Sequence, residues 1–81
     1  MASVKNAVVK RFKDICVERG IAVNELANLA GVTPSTVYSL FSDERNHVEI
    51  STIKILCDGL NITLGEFFST PEFDNLEQEI Q

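Results

Sequence analysis

The stretch VNELANLAGVTPSTVYSLFS, residues 23–42, decides the fold of this chain. Ala27 is followed four residues later by Gly31, and two helices that meet steeply over a short turn need a small side chain and a glycine at these two positions. Three apolar residues follow the glycine by one, six and nine positions, and they are expected to face inward: Val32, Val37 and Leu40. The spacing therefore predicts a helix-turn-helix.

The second helix of this pair has a well-marked start and a polar outer face. Thr33 is a candidate N-cap whose hydroxyl accepts from a free backbone N–H, and Pro34 suits the first helical position. The remaining residues of the helix point outward and are mostly small and polar: Ser35, Thr36, Tyr38, Ser39 and Ser42. A narrow helix that carries hydroxyls fits the DNA major groove, whereas the alternative is an ordinary helical hairpin with a polar surface.

The net charge of the chain argues against DNA binding until it is divided by segment. The 81 residues carry a formal charge of −5 and a pI of about 4.6. Residues 1–70 hold eight acidic and seven basic residues, and the other four acidic residues follow Pro71. Five basic residues lie in the first quarter of the chain: Lys5, Lys10, Arg11, Lys13 and Arg19. The acidity is thus mainly a property of the C-terminal segment, and the rest is nearly neutral.

Helical periodicity dominates the rest of the sequence, and it predicts an all-α fold of five helices. Apolar residues recur at helical spacing over residues 4–19, with Gly20 as the stop signal. Ser51 is a candidate cap for a fourth helix that ends near residue 60. Thr63 and Glu66 have the spacing of a capping box, which starts a fifth helix.

The C-terminal segment, residues 71–81, is predicted to be an acidic amphipathic tail attached to a 1–70 domain. Phe73, Leu76 and Ile80 form one apolar stripe on a short and otherwise acidic helix. Because so short a helix is marginal in water by itself, three alternatives stay open. The tail is a frayed and solvated end, it docks on the body of the domain, or it contacts a second subunit or another protein.

The sequence offers little for catalysis, metal binding or membrane insertion. Cys16 and Cys57 lack the spacing of a metal site and are expected to be buried, reduced thiols, and one histidine, His47, cannot complete a zinc site. No cofactor motif and no nucleophile with a credible base is present. No apolar run reaches the length of a membrane span. We therefore expect a cytoplasmic protein that is not an enzyme and has no cofactor.

Residues 5–69 resemble the XRE family of helix-turn-helix regulators, whose members include the Cro and lambda-repressor-like domains. The resemblance rests on VVKRFKDICVERGIAVNELANLAGVTPSTVYSLF and on ISTIKILCDGLNITLGEFF. It implies a compact five-helix domain that binds double-stranded DNA as a homodimer, with the helix at 34–42 in the major groove. It places base reading at Pro34, Ser35 and Ser39 with Tyr38 beside them, and phosphate contacts at the start of the second helix and in the loop of Arg45, Asn46 and His47.

The chain departs from the family pattern at several positions. Many members have Gln at the positions of Val23 and Pro34, where it grips a phosphate and an adenine respectively. Ala22 replaces the usual hydroxyl cap of the second helix. Many relatives pair an Arg at the position of Cys16 with an acid at that of Tyr38, and both are changed here. These departures predict a modest-affinity, salt-sensitive binder.

The resulting prediction is a small transcriptional regulator of the repressor type. Its predicted DNA-binding residues are Thr33, Pro34, Ser35, Thr36, Tyr38, Ser39, Ser42, Arg45 and Asn46. The alternative is a protein-interaction module of the same fold, of the antitoxin or anti-repressor type, that uses its acidic tail. The charge on the 34–47 surface discriminates between them, because a DNA reader needs a positive rim there.

Overall fold

The computed structural model describes residues 4–42 and 48–76, and the regular secondary structure in these ranges is entirely helical. The helices are α1 (Val4–Arg19), α2 (Val23–Ala30), α3 (Pro34–Phe41), α4 (Ile50–Leu60), α5 (Leu64–Phe68) and α6 (Pro71–Asp74). The predicted all-α class is confirmed. A helix occupies each of the five predicted positions, and α6 adds a single turn in the segment predicted as a tail.

The core lies where α1, α2, α4 and α5 converge, and α3 packs on it from one side. Phe12 of α1 stacks on Phe67 of α5 with 4.4 Å between ring centroids. The other fully buried large side chains come from α1, α2, α3 and α4: Val8, Leu26, Val37, Leu56, Cys57 and Leu60. Each is an apolar residue at helical spacing, so the buried face of each helix follows from periodicity.

The start of α4 differs from the prediction. The helix begins at Ile50 with Glu49 as its N-cap, so the assignment of the cap to Ser51 was wrong. Ser51 lies within the first turn, because the backbone N–H groups of Thr52 and Ile53 already bond to the Glu49 carbonyl. The capping box of α5 is confirmed: the Glu66 N–H donates to Thr63 Oγ1 at 3.0 Å, and the Thr63 N–H donates to Glu66 Oε1 at 3.0 Å.

Two arginines of α1 hold the C-terminal ends of α4 and α5. Arg19 Nη1 donates to the Leu60 carbonyl at 2.5 Å. Arg11 donates to the Phe67 carbonyl at 2.9 Å and to the Glu66 carbonyl at 3.1 Å. Helix ends leave carbonyls without intrahelical partners and are electronegative, so cationic donors there stabilise both helices.

The described part of the tail docks on the body of the domain. The Phe73 ring lies 5.9 Å from the Phe67 ring and 4.8 Å from the Phe68 ring, between centroids. Glu72 forms an ion pair with Lys10 at 3.1 Å. Residues 71–76 therefore dock on the body of the domain, which is one of the three alternatives for the tail. Ile80 lies outside the described residues.

Among the described helices, α1 is the longest at 16 residues, and none has both the length and the apolar character needed to cross a membrane.

Candidate nucleic-acid interface

The turn between α2 and α3 has the backbone that the sequence predicts. Gly31 adopts a left-handed conformation with φ of 73°, which costs a glycine nothing. Its N–H donates to the Asn28 carbonyl at 3.2 Å, and the Val32 N–H donates to the Ala27 carbonyl at 3.0 Å. These bonds satisfy the last carbonyls of α2 and redirect the chain at once into α3.

Helix α3 has one buried and one exposed face. Val37 is 0% exposed and Leu40 is 6% exposed, and Ala27 of α2 is fully buried. Val32 in the turn is half-buried against the same core. These four inward positions are those that the spacing predicted. Of the predicted site residues on the opposite face, four are exposed and Ser39 is half-buried: Pro34, Ser35, Thr36, Tyr38 and Ser39.

A hydroxyl cluster lies at the N-terminus of α3. Thr33 Oγ1 is 2.9 Å from Ser35 Oγ and 3.1 Å from Thr36 Oγ1. Thr33 is the N-cap residue, but its side chain accepts no backbone N–H, so that part of the prediction was wrong. The Thr33 hydroxyl bonds with the neighbouring hydroxyls instead. The Thr36 N–H donates to the Thr33 carbonyl at 3.0 Å. The cluster is a compact set of donors and acceptors on the outer surface.

Tyr38 is joined to the start of α2. Its hydroxyl donates to Asn24 Oδ1 at 2.7 Å, and its side chain is 53% exposed. With Oδ1 accepting, the amide N–H groups of Asn24 are donors that this bond does not use. Sequence analysis missed Asn24. The available signal was its position in the first turn of α2, where phosphate contacts were expected from backbone N–H groups.

A shallow groove of about 390 Å³ separates α3 from the start of α4. Its lining brings together three predicted site residues with residues that sequence analysis did not single out: Ser35, Thr36, Ser39, Leu40, Val48, Glu49 and Thr52. The hydroxyls of Thr52 and of the α3 residues make the groove polar. The exposed Glu49 adds a negative charge beside α3, which opposes a phosphate on that side.

The lysines of α1 lie at the other end of α3. Ser42, the C-cap of α3, accepts a hydrogen bond at its carbonyl from the buried Lys5 Nζ. The Lys13 ammonium lies 5.6 Å from the centroid of the Phe41 ring. Two lysines of α1 therefore lie beside the C-terminal end of α3. Three residues of the α3–α4 loop were predicted to bind phosphate and lie outside the described residues: Arg45, Asn46 and His47.

The two cysteines are buried, free thiols, as predicted. Burial raises the pKa of Cys57 to about 11, with a smaller contribution from Asp58, and burial also raises the pKa of Cys16. Both thiols are thus protonated at neutral pH, and a protonated thiol is a poor nucleophile. Within residues 4–42 and 48–76, no three His, Cys, Asp or Glu side chains are grouped to hold a metal ion.

Comparisons with known proteins agree with this geometry. A family model described as the Cro/C1-type HTH DNA-binding domain matches residues 11–72. The crystal structure of prophage Lp1 protein 11 is similar in fold, with a TM-score of 0.81 and 26% sequence identity. The similarity covers 94% of this chain and 100% of that chain. A search of curated proteins found no match.

Proposed function

The chain belongs to the family of Cro/C1-type HTH DNA-binding domains, and from this premise we propose that it is a transcriptional regulator that binds specific double-stranded DNA with α3 in the major groove. One observation carries the proposal: α3 is anchored by the buried Val37 and Leu40 and presents only small or polar side chains and Tyr38 on its outer face. The proposed DNA-binding residues are Thr33, Pro34, Ser35, Thr36, Tyr38, Ser39 and Ser42, with Arg45 and Asn46 added from the sequence.

Base reading in this proposal depends on hydroxyls. Ser35 and Ser39 can each donate to or accept from a base edge, so they discriminate less strictly than a bidentate Arg or Gln. Pro34 contributes no hydrogen bond. The Asn24–Tyr38 pair offers the Asn24 amide as a donor to a phosphate at the edge of the groove. We therefore expect moderate specificity that depends partly on DNA shape.

The proposed biological unit is a homodimer that acts as a repressor. Two copies of α3 would enter successive major grooves about 34–36 Å apart on a pseudo-palindromic operator. A dimer doubles the number of base and phosphate contacts, which compensates for the few strong readers on each subunit. Bound at a promoter, such a dimer would repress transcription by occupying the DNA.

The double variant Ser35→Glu/Ser39→Glu tests the assignment of α3. Two carboxylates facing the electronegative floor of the groove should lower affinity for a duplex selected from a random pool by at least about 100-fold, equivalent to about 2.7 kcal/mol. Fluorescence anisotropy titrations give the affinity, and urea unfolding shows whether the domain keeps its cooperative fold.

The matched control is Val17→Glu/Ser69→Glu. It adds the same charge on exposed positions of α1 and of the residue after α5, away from the α2–α3 unit. The control should lose affinity only slightly, through the net charge. Equal losses in the two double variants, or no loss in the α3 variant, would contradict the assignment.

Two observations favour the second candidate, a protein-interaction module of the antitoxin or anti-repressor type. Glu49 lines the groove beside α3, and Arg11 and Arg19 are bonded to helix carbonyls within the domain. The two candidates differ in salt dependence. DNA binding predicts an affinity that falls steeply with salt, and the slope of log K against log salt should correspond to several phosphate contacts. A flat dependence supports the protein partner.

A further inference from the structure

We propose that a groove formed by the lysines of α1 and the C-terminal end of α3 binds a phosphate of the DNA backbone that flanks the major groove occupied by α3. This inference rests on the proposed function and adds a phosphate site to it, on a helix outside the helix-turn-helix.

The groove has a volume of about 270 Å³ and a strongly basic lining. Three of its lining residues are lysines, and the others are polar or apolar residues of α1 and α3: Lys5, Asn6, Val9, Lys10, Lys13 and Phe41. The exposed Lys10 and Lys13 each carry three N–H donors and no acceptor, so the lining is suited to an anion with several oxygens.

Lys5 fixes the groove to α3. It is only 4% exposed, which is rare for a lysine, and its ammonium donates to the Ser42 carbonyl at the C-cap of α3. A cation at the negative end of a helix is electrostatically favourable. The Lys13 ammonium, 5.6 Å from the Phe41 ring centroid, lies beside the same end. These two contacts place Lys5 and Lys13 at the C-terminal end of α3.

The other three described cations do not line the groove. Arg11 and Arg19 donate to carbonyls of α5 and α4 at distances of 2.5–3.1 Å. Lys54 pairs with Asp58 on the same helix, α4. The described ranges hold six basic residues, and the remaining three line the groove: Lys5, Lys10 and Lys13. A DNA-binding surface derives much of its affinity from cations at phosphates, so the groove is where such contacts belong.

Lys10 can exchange its present partners for a phosphate. Its ammonium lies 2.8 Å from Asp14 and 3.1 Å from Glu72, and the three side chains are each more than half exposed. Exposed ion pairs contribute little to stability because water screens both charges, so a phosphate competes with them at little cost. Glu72 thus lowers the positive charge of the groove, but it leaves Lys10 available to a phosphate.

The test compares Lys13→Gln with Lys54→Gln. Both variants remove one positive charge from an exposed side chain, but only Lys13 lines the groove. Affinity for a selected duplex is measured by anisotropy over a range of salt concentrations. Losing one phosphate contact per subunit, and so two per dimer, should reduce the slope of log K against log salt by about 1.8 in the Lys13 variant. The affinity at low salt should fall several-fold.

The controls separate this inference from the proposed function. Lys54→Gln should keep the wild-type slope, and Lys13→Arg should restore both slope and affinity. If the wild-type protein binds DNA and Ser35→Glu/Ser39→Glu abolishes binding, but Lys13→Gln keeps the wild-type slope, the lysine groove is not a phosphate site and the proposed function stands. If the wild-type protein binds no duplex, both proposals are wrong.

Discussion

Gly59 lies where α4 crosses α2, and its lack of a side chain permits the crossing. A Cβ atom at this position would lie 2.7 Å from the Cα and from the N atom of Ala30, and 2.9 Å from the Leu29 carbonyl carbon. These are backbone atoms, so a clash cannot be relieved by rotating a side chain. The close packing of α2 on α4 in turn sets the position of the helix-turn-helix.

Replacing this glycine should therefore destabilise the domain. In an isolated helix Gly→Ala is favourable by up to about 1 kcal/mol, but overpacking typically costs about 1–3 kcal/mol. We expect Gly59→Ala to lower the free energy of unfolding in urea.

Gly65→Ala is the matched control, because the nearest atom to its added Cβ would be Thr63 Oγ1 at 3.8 Å. That variant should be neutral or slightly more stable. Equal free energies of unfolding for the two variants would show that α2 and α4 can separate without cost.

At the scale of the element, α3 and α5 each start with a threonine N-cap, and the two side chains are bonded differently. Thr63 Oγ1 accepts the Glu66 N–H at the start of α5, whereas Thr33 Oγ1 at the start of α3 bonds with neighbouring hydroxyls. The Thr63 backbone N–H and then the Thr63 side chain lower the pKa of Glu66 from its ordinary value of 4.5. Since the folded-state pKa is lowered, the stability from this carboxylate is present above pH 4.5 and is lost as the pH falls through the lowered pKa.

The two threonines should differ in their value to stability. Loss of a true cap costs about 0.5–2 kcal/mol, so Thr63→Ala should lower the free energy of unfolding by that amount. Thr33→Ala breaks only exposed bonds between hydroxyls, and we expect a change within about 0.5 kcal/mol. Urea unfolding at neutral pH measures both, and a Thr33 variant as destabilised as the Thr63 variant would contradict the assignment of caps.

At the scale of the whole molecule, α6 closes the aromatic end of the core. Phe73 is half-buried and contacts the rings of Phe67 and Phe68, and Glu72 pairs with Lys10 of α1. Part of the acidic segment is therefore tied to the domain through both an apolar and an ionic contact. Its negative charge is held next to the lysines of α1.

Removal of the aromatic contact should loosen this end of the molecule. Truncating a fully buried Phe costs about 3–5 kcal/mol, so the half-buried Phe73 should cost about 1–2 kcal/mol on Phe73→Ala. Val17→Ala, at a position 82% exposed, is the control and should change stability by less than about 0.5 kcal/mol. Unchanged unfolding of the Phe73 variant in urea would mean that α6 does not pack on the domain in solution.

Much of the candidate site could be predicted from local sequence. The turn at Gly31 and the two faces of α3 depend on backbone conformation and on periodicity within about 20 residues, and both are confirmed. The partner of Tyr38 could not be predicted, since Asn24 comes within 2.7 Å of it only after the helix pair has formed. The Thr33 cap was wrong for a related reason, because three hydroxyls compete within one turn and only their geometry decides which bonds form.

The sequence by itself determined the five main helices, the helix-turn-helix and the family, because glycine turns and apolar periodicity act through neighbouring residues. The tertiary structure decided which charged side chains form bonds within the domain. It brings Lys5 to Ser42, Arg11 to Phe67 and Arg19 to Leu60, pairs that lie 37, 56 and 41 residues apart in the chain. A charge count cannot foresee such pairs, since the energy of a charge depends on the atoms that folding places around it. The lysines left beside α3 are a consequence of the fold.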